Sequence, residues 1–151
     1  MKNIQFRGRE FTLHFGMYLS QALSISLYDS DGAPYMTATV NIFENDANLD
    51  LDMTAIKDYS ENIGILKCLR NNGLIKEDIS IILSGFVGIP VVRVDLDKLA
   101  EYNPESMMSF LEHHHSDAAK ERLKKYAEKK TFKTQHKLLA ALNELLHKEG
   151  E

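Results

Sequence analysis

Cysteine occurs once in these 151 residues, proline three times and glycine eight times. A single thiol, Cys68, excludes an intramolecular disulfide and any zinc site built on cysteines, and it favours the cytosol as the compartment. Cys68 sits in the apolar run Ile65-Leu66-Lys67-Cys68-Leu69 and reads as a small buried hydrophobe. Too little proline and glycine is present for a fibrous or disordered chain. No apolar run approaches the eighteen or so residues of a membrane-spanning helix. The start, Met1 to Phe6, lacks the apolar core of a signal peptide and alternates like a strand. Charge of one sign is not in excess either. Eighteen basic and twenty-two acidic side chains leave a net charge of −4, which argues against both a generally basic nucleic-acid binder and an extreme acidic mimic of DNA.

What is present is, first, alternation. Ile4 and Phe6, then Phe11, Leu13 and Phe15, then Leu23, Ile25 and Leu27 stand at every second position, the pattern of strands with one buried face. Arg7-Gly8-Arg9 and Asp29-Ser30-Asp31-Gly32 supply turns between them, and Tyr35 to Ile42 supplies a fourth, β-branched strand. Residues 43–60 read as an exposed acidic loop with a short strand at Thr54–Ile56. Ser60-Glu61-Asn62 offers the cap of a helix that Asn71-Asn72-Gly73 stops. Ile79 to Leu83 and Val91 to Val94 read as two more strands around Ser84 to Pro90. The composition shifts at Asn103-Pro104-Glu105, which combines a capping side chain, a proline at the first helical position and an acid beside the positive end of the dipole.

Beyond it, Met107, Leu111, Ala119, Leu123 and Tyr126 form one helical stripe, with His113-His114-His115 as an interruption and Ser116 as a second cap. Phe132, Leu138, Leu139, Leu142, Leu145 and Leu146 form another after a break at residues 131–134. The expected fold is α+β: an antiparallel β-meander sheet with one packed helix over residues 1–99, followed by a C-terminal α-helical hairpin over residues 103–151.

The chemistry-bearing patterns are weak. Adjacent histidines on a helix point about 100° apart, so the triple His113–His115 lacks the i, i+4 spacing of a metal site. Ser84-Gly85-Phe86-Val87-Gly88 is neither a nucleophile elbow nor a phosphate loop, and its glycines suit a turn. The acids of residues 44–58 lack the ligand spacing of a calcium loop. No enzyme, metal or cofactor is implied. Charge is unevenly placed, however. Residues 117–137 hold eight bases and three acids, whereas residues 1–100 hold nine bases and thirteen acids. Two candidate partner surfaces follow. One is the acidic loop of Asp46, Asp50, Asp52 and Asp58; the other is the basic helix of Lys120, Lys124, Lys125, Lys129, Lys130 and Lys133. Leu138, Leu142, Leu145 and Leu146 are candidates for self-association as a homodimer.

Met1 to Gly8, the meander closed by Asp29–Gly32, Ile56 to Asn62 and Ser84-Gly85-Phe86-Val87 together resemble a family of small domains of unknown function. These domains are carried by plasmids, integrative elements and phages of gut bacteria. The resemblance spans residues 1–99, its motifs are structural, and the basic helical tail departs from the short form of the family. It implies a non-enzymatic, cytoplasmic binding protein, in the manner of anti-CRISPR and other anti-defence inhibitors that dock on a host nuclease or other defence protein. The acidic loop would enter a basic nucleic-acid channel, or the basic helix would grip an acidic protein face. From the charges alone, the alternative is a nucleic-acid-binding accessory or regulatory protein that uses the basic helix 117–137.

Overall fold

The computed structural model describes residues 2–45 and 49–128. The fold is α+β, with antiparallel sheets and α-helices. Strands β1 (Ile4–Phe6), β2 (Arg9–Met17), β3 (Leu23–Tyr28) and β4 (Pro34–Thr37) form a meander in that order. Its alternation decides which face is buried: Ile4, Phe6, Phe11, Leu13, Phe15, Leu23, Ile25 and Leu27 all point into one core. The β1–β2 turn places Arg7 at φ +53° and Gly8 at φ +72°, two left-handed residues in succession, as a tight hairpin needs. Arg7 is held there by hydrogen bonds to the Tyr35 hydroxyl at 3.1 Å and the Ile63 carbonyl at 3.2 Å.

The fourth strand is shorter than the expected Tyr35–Ile42, because the chain changes sheets after Thr37. Ala38 N–H still donates to the Ile25 carbonyl, but Thr39 bridges to Ile56 and Val40 N–H donates to the Ala55 carbonyl. The segment therefore joins the meander to a second sheet, of order β5-β7-β6. Its strands are β5 (Met53–Ala55), β6 (Ile75–Ser84) and β7 (Val87–Val94). The latter two run longer than expected and close on the two-residue turn Gly85-Phe86, with Gly85 at φ +62°. Buried Thr54 ties the sheets together by donating to the Leu23 carbonyl at 2.6 Å.

Helix α1 (Ile65–Asn71) begins later than the Ser60–Asn62 cap predicts. Those three residues form a 3₁₀ turn instead, and buried Asn62 donates to the Thr37 carbonyl at 2.6 Å. The cap of α1 is Asp58, whose Oδ1 accepts from Gly64 N–H at 3.0 Å and Leu66 N–H at 3.1 Å. Helix α2 (Leu96–Tyr102), not anticipated from the sequence, starts directly after β7 on an Asp95 cap. Helix α3 (Pro104–His113) starts as the Asn103-Pro104-Glu105 signal predicts, and a further helix, α4 (117–128), starts on Ser116, whose hydroxyl accepts from Ala119 N–H.

The expected boundary near residues 99–103 falls inside a single core. Met107, Phe110, Leu111 and Ala119 lie in the same hydrophobic cluster as Ile4, Phe11 and Leu27. Polar contacts make the junction specific. Strand β1 has only three residues, so it leaves part of the β2 edge unpaired. Asn103 Nδ2 donates to the Leu13 carbonyl at 2.9 Å, and the Ser106 hydroxyl both accepts from Phe15 N–H and donates to the Phe15 carbonyl. No helix among the described residues is long and apolar enough to cross a membrane. The break at 131–134 and the second leucine stripe lie outside the described residues.

Candidate interaction surface

Of the acids of the expected loop, Asp50, Asp52 and Asp58 are placed in internal contacts. The guanidinium of Arg93, on β7, receives three carboxylates. Nη1 meets Asp52 at 2.8 Å, Nη2 meets Asp50 at 2.7 Å, and Nε meets Glu77 of β6 at 3.3 Å. Hydrogen bonds to Asp50 and Asp52 raise the Arg93 pKa further above its ordinary value. Asp58 is turned into α1 as its cap, and Asp46 lies outside the described residues. Asp50 and Asp52 also line a cleft of about 340 Å³ whose opposite wall carries Glu121, Arg122 and Lys125 of α4. Acids and bases balance across it, so the cleft offers no field of one sign.

On α4 the inward stripe is buried Ala119 with half-buried Leu123 and Tyr126, continuing that of α3. Arg122 turns to the core side and pairs with Asp97 of α2 at 2.6 Å, where the Tyr126 hydroxyl also donates at 2.9 Å. The outward face holds Lys120, Lys124 and Lys125 beside Asp117, Glu121 and Glu128, all exposed. At helical spacing these opposite charges are near neighbours, which stabilises a solvated helix and cancels its field. The excess of positive charge begins at Lys129, so Lys129, Lys130 and Lys133 fall outside the described residues, as do Leu138, Leu142, Leu145 and Leu146.

The histidines are taken up one by one. His113 Nδ1 meets the Ser109 carbonyl at 2.7 Å. His114 is buried against the edge of Phe110, with Nδ1 on the Ser116 hydroxyl at 2.9 Å and Nε2 without a partner. The exposed His115 accommodates Gln21, whose side-chain oxygen accepts from its backbone N–H. Cys68 is half-buried, donates to the Gln5 carbonyl at 3.3 Å, and has its thiol pKa pushed up by burial. A wider hollow of about 640 Å³ lies between Tyr18, Tyr35 and Tyr59, but its polar atoms largely satisfy one another: Tyr18 pairs with Thr39 and Lys57 with Glu61.

The feature that sequence reasoning passed over is the β6–β7 hairpin. Glycines that read only as a turn lie at the tip of a projecting apolar surface. Ile81 is 69% exposed, Leu83 80%, and Phe86 at the tip fully so, while Ile79 and Ile82 are about 40% exposed. Ile81 and Leu83 lie over Gly88, where an added Cβ would come within 3.0 Å of Ile81 Cγ2. Below them a groove of about 390 Å³ runs between Leu66 and Arg70 of α1 and Ile79, Ile81 and Pro90. The available signal was the run Ile79-Ser80-Ile81-Ile82-Leu83, in which both parities are apolar. A strand buried on one face alternates; this one does not. Compared with family models, curated proteins and solved structures, the chain matches none.

Proposed function

We propose that this is a non-catalytic binding protein, a cytoplasmic anti-defence inhibitor of a mobile element that acts by docking on a host nuclease or another defence protein. One observation carries the binding part: the hairpin exposes five large apolar side chains, from both faces of β6 and from its tip, and exposed apolar surface of this kind marks protein–protein interaction sites. The mobile-element context comes from the resemblance of residues 1–99. Docking is assigned to the hairpin and not to the acidic loop, since Asp50, Asp52 and Asp58 are already engaged within the fold.

Affinity capture from host lysate, with and without nuclease treatment, tests this with the wild type beside Leu83→Lys. The expected result is a defence protein captured independently of nucleic acid by the wild type and lost with Leu83→Lys. Capture of nucleic acid alone, abolished by nuclease and by high salt, would replace the inhibitor with the nucleic-acid binder.

A further inference from the structure

Strand β6 is an edge. It pairs with β7 on one side, and no described residue pairs with the other. Natural proteins protect such edges with charges and bulges. The first half of β6 has both: Lys76, Glu77 and Asp78 are charged, and the register shifts between Ile75 and Glu77 and again between Asp78 and Ser80. The second half, Ser80 to Ser84, has neither. It is regular, uncharged and apolar at its centre. Protection stops where the apolar surface begins.

The hydrogen-bonding phase of this stretch can be read from its partners. Ile81 stands opposite Pro90, which has no N–H, so this is not a hydrogen-bonded pair. Ser80, Ile82 and Ser84 therefore turn their backbone groups toward β7, while Ile81 and Leu83 aim N–H and C=O at the open edge. We propose that β6 pairs antiparallel with β6 of a second copy, about a two-fold axis at Ile82. This rests on reading the hairpin as a protein interface.

In that register Ile82 faces Ile82 as a close pair, and Ile81 faces Leu83 on both sides of the axis. All four outward backbone groups of Ile81 and Leu83 are then satisfied in each copy. Ser80 meets Ser84 at the ends. The charges select this arrangement over a parallel one. Antiparallel pairing sends Lys76, Glu77 and Asp78 to opposite ends of the ribbon, whereas parallel in-register pairing would set each beside its own like charge. Pairing two strand edges covers only part of the exposed area of these five side chains. Stable interfaces bury about 800 Å² per partner, so the dimer should dissociate on dilution. A target that uses the same hairpin would compete with the second copy.

Sedimentation and light scattering of the purified full chain across a concentration series test the proposal, together with cysteine cross-linking in a Cys68→Ser background. The expected species moves from 17.2 kDa to twice that mass with rising concentration. Leu83→Lys should hold it at the lower mass, with the unfolding midpoint of the wild type measured at concentrations where the wild type is monomeric. Ile82→Cys should form a disulfide-linked dimer, since Cα atoms of such a pair lie about 4.5 Å apart. Ser84→Cys should not, its two copies lying about 14 Å apart along the ribbon. A dimer unaffected by Leu83→Lys, with no Ile82→Cys cross-link, would overturn the proposal. So would equal cross-linking of Ser84→Cys. A monomer whose target capture still depends on Leu83 would overturn the second copy and keep the interface; a monomer with no such capture would overturn both.

Discussion

At the scale of single residues, a buried polar atom without a partner is costly, and Nε2 of His114 is one. The residue is 5% exposed, only its Nδ1 has a hydrogen-bond partner, and burial together with the neighbouring His115 lowers its pKa below the ordinary 6.5. The folded protein therefore holds His114 neutral in a range where the unfolded chain binds a proton. By linkage, stability rises with pH wherever the unfolded state carries more protons, so it should fall as pH drops below about 6.5. The slope contributed by this residue is at most about 1.4 kcal/mol per pH unit, the limit for one proton. His114→Phe keeps a ring beside Phe110 and removes the titration. Thermal unfolding of both proteins between pH 7.5 and 5 should show a shallower decline for the variant, and parallel declines would sink the idea. The other five histidines are present in both chains. The same logic of partners explains Arg93: its three carboxylates come from two distant parts of the sequence, Asp50 and Asp52 before β5 and Glu77 in β6, so two of the acids expected on a free surface are contacts within the fold.

At the scale of elements, what could be read in advance depended on how local the cause was. Strands β2 and β3 were legible because Phe11, Leu13, Phe15 and Leu23, Ile25, Leu27 alternate within their own segments. Helix α3 was legible because its cap and proline are adjacent. The start of α1 was not, since its capping carboxylate is Asp58, six and eight residues before the N–H groups it accepts. Helix α2 carried a signal, Asp95 followed by Leu96 and Leu99, but its seven residues leave little room for periodicity. The length of β6 was hidden by Lys76-Glu77-Asp78, residues of poor strand propensity held by pairing with β7. Asn103 shows how one side chain can serve two elements. Its Oδ1 caps α3 by accepting from Ser106 N–H, and its Nδ2 satisfies the Leu13 carbonyl of β2. Asn103→Asp keeps the acceptor and loses the donor, whereas Asn103→Ala loses both. Denaturant unfolding should place both variants below the wild type. The Ala variant should lose about 2–3 kcal/mol, combining a cap and an unsatisfied buried carbonyl. The Asp variant should fall at least as low, since its second oxygen would face the Leu13 carbonyl acceptor to acceptor. An Asp variant as stable as the wild type would show that the Leu13 contact contributes nothing.

At the scale of the whole molecule, the question is whether residues 1–99 are a unit, as the expected boundary between them and residues 103–151 would have it. Packing argues that they are not. Met107, Phe110 and Leu111 are buried in the cluster that contains Ile4, Phe11 and Leu27, and each such side chain contributes roughly 1.5–3 kcal/mol by leaving water. Three of them approach the roughly 5–15 kcal/mol that holds an ordinary domain folded. Removing α3 also strips Asn103 and Ser106 from the β2 edge, leaving the Leu13 carbonyl and both backbone groups of Phe15 without these partners. A chain ending at residue 99 should therefore lack a cooperative unfolding transition, while a chain ending at residue 128 retains α3 and α4 and should unfold cooperatively. Calorimetry and amide exchange on the two truncations check this. A sharp transition in the shorter chain would mean that the meander and the β6–β7 hairpin are sufficient alone, with the helices merely docked on them. Its absence would make the helices part of the scaffold that holds the hairpin out, so that any activity mapped to residues 1–99 depends on residues beyond them.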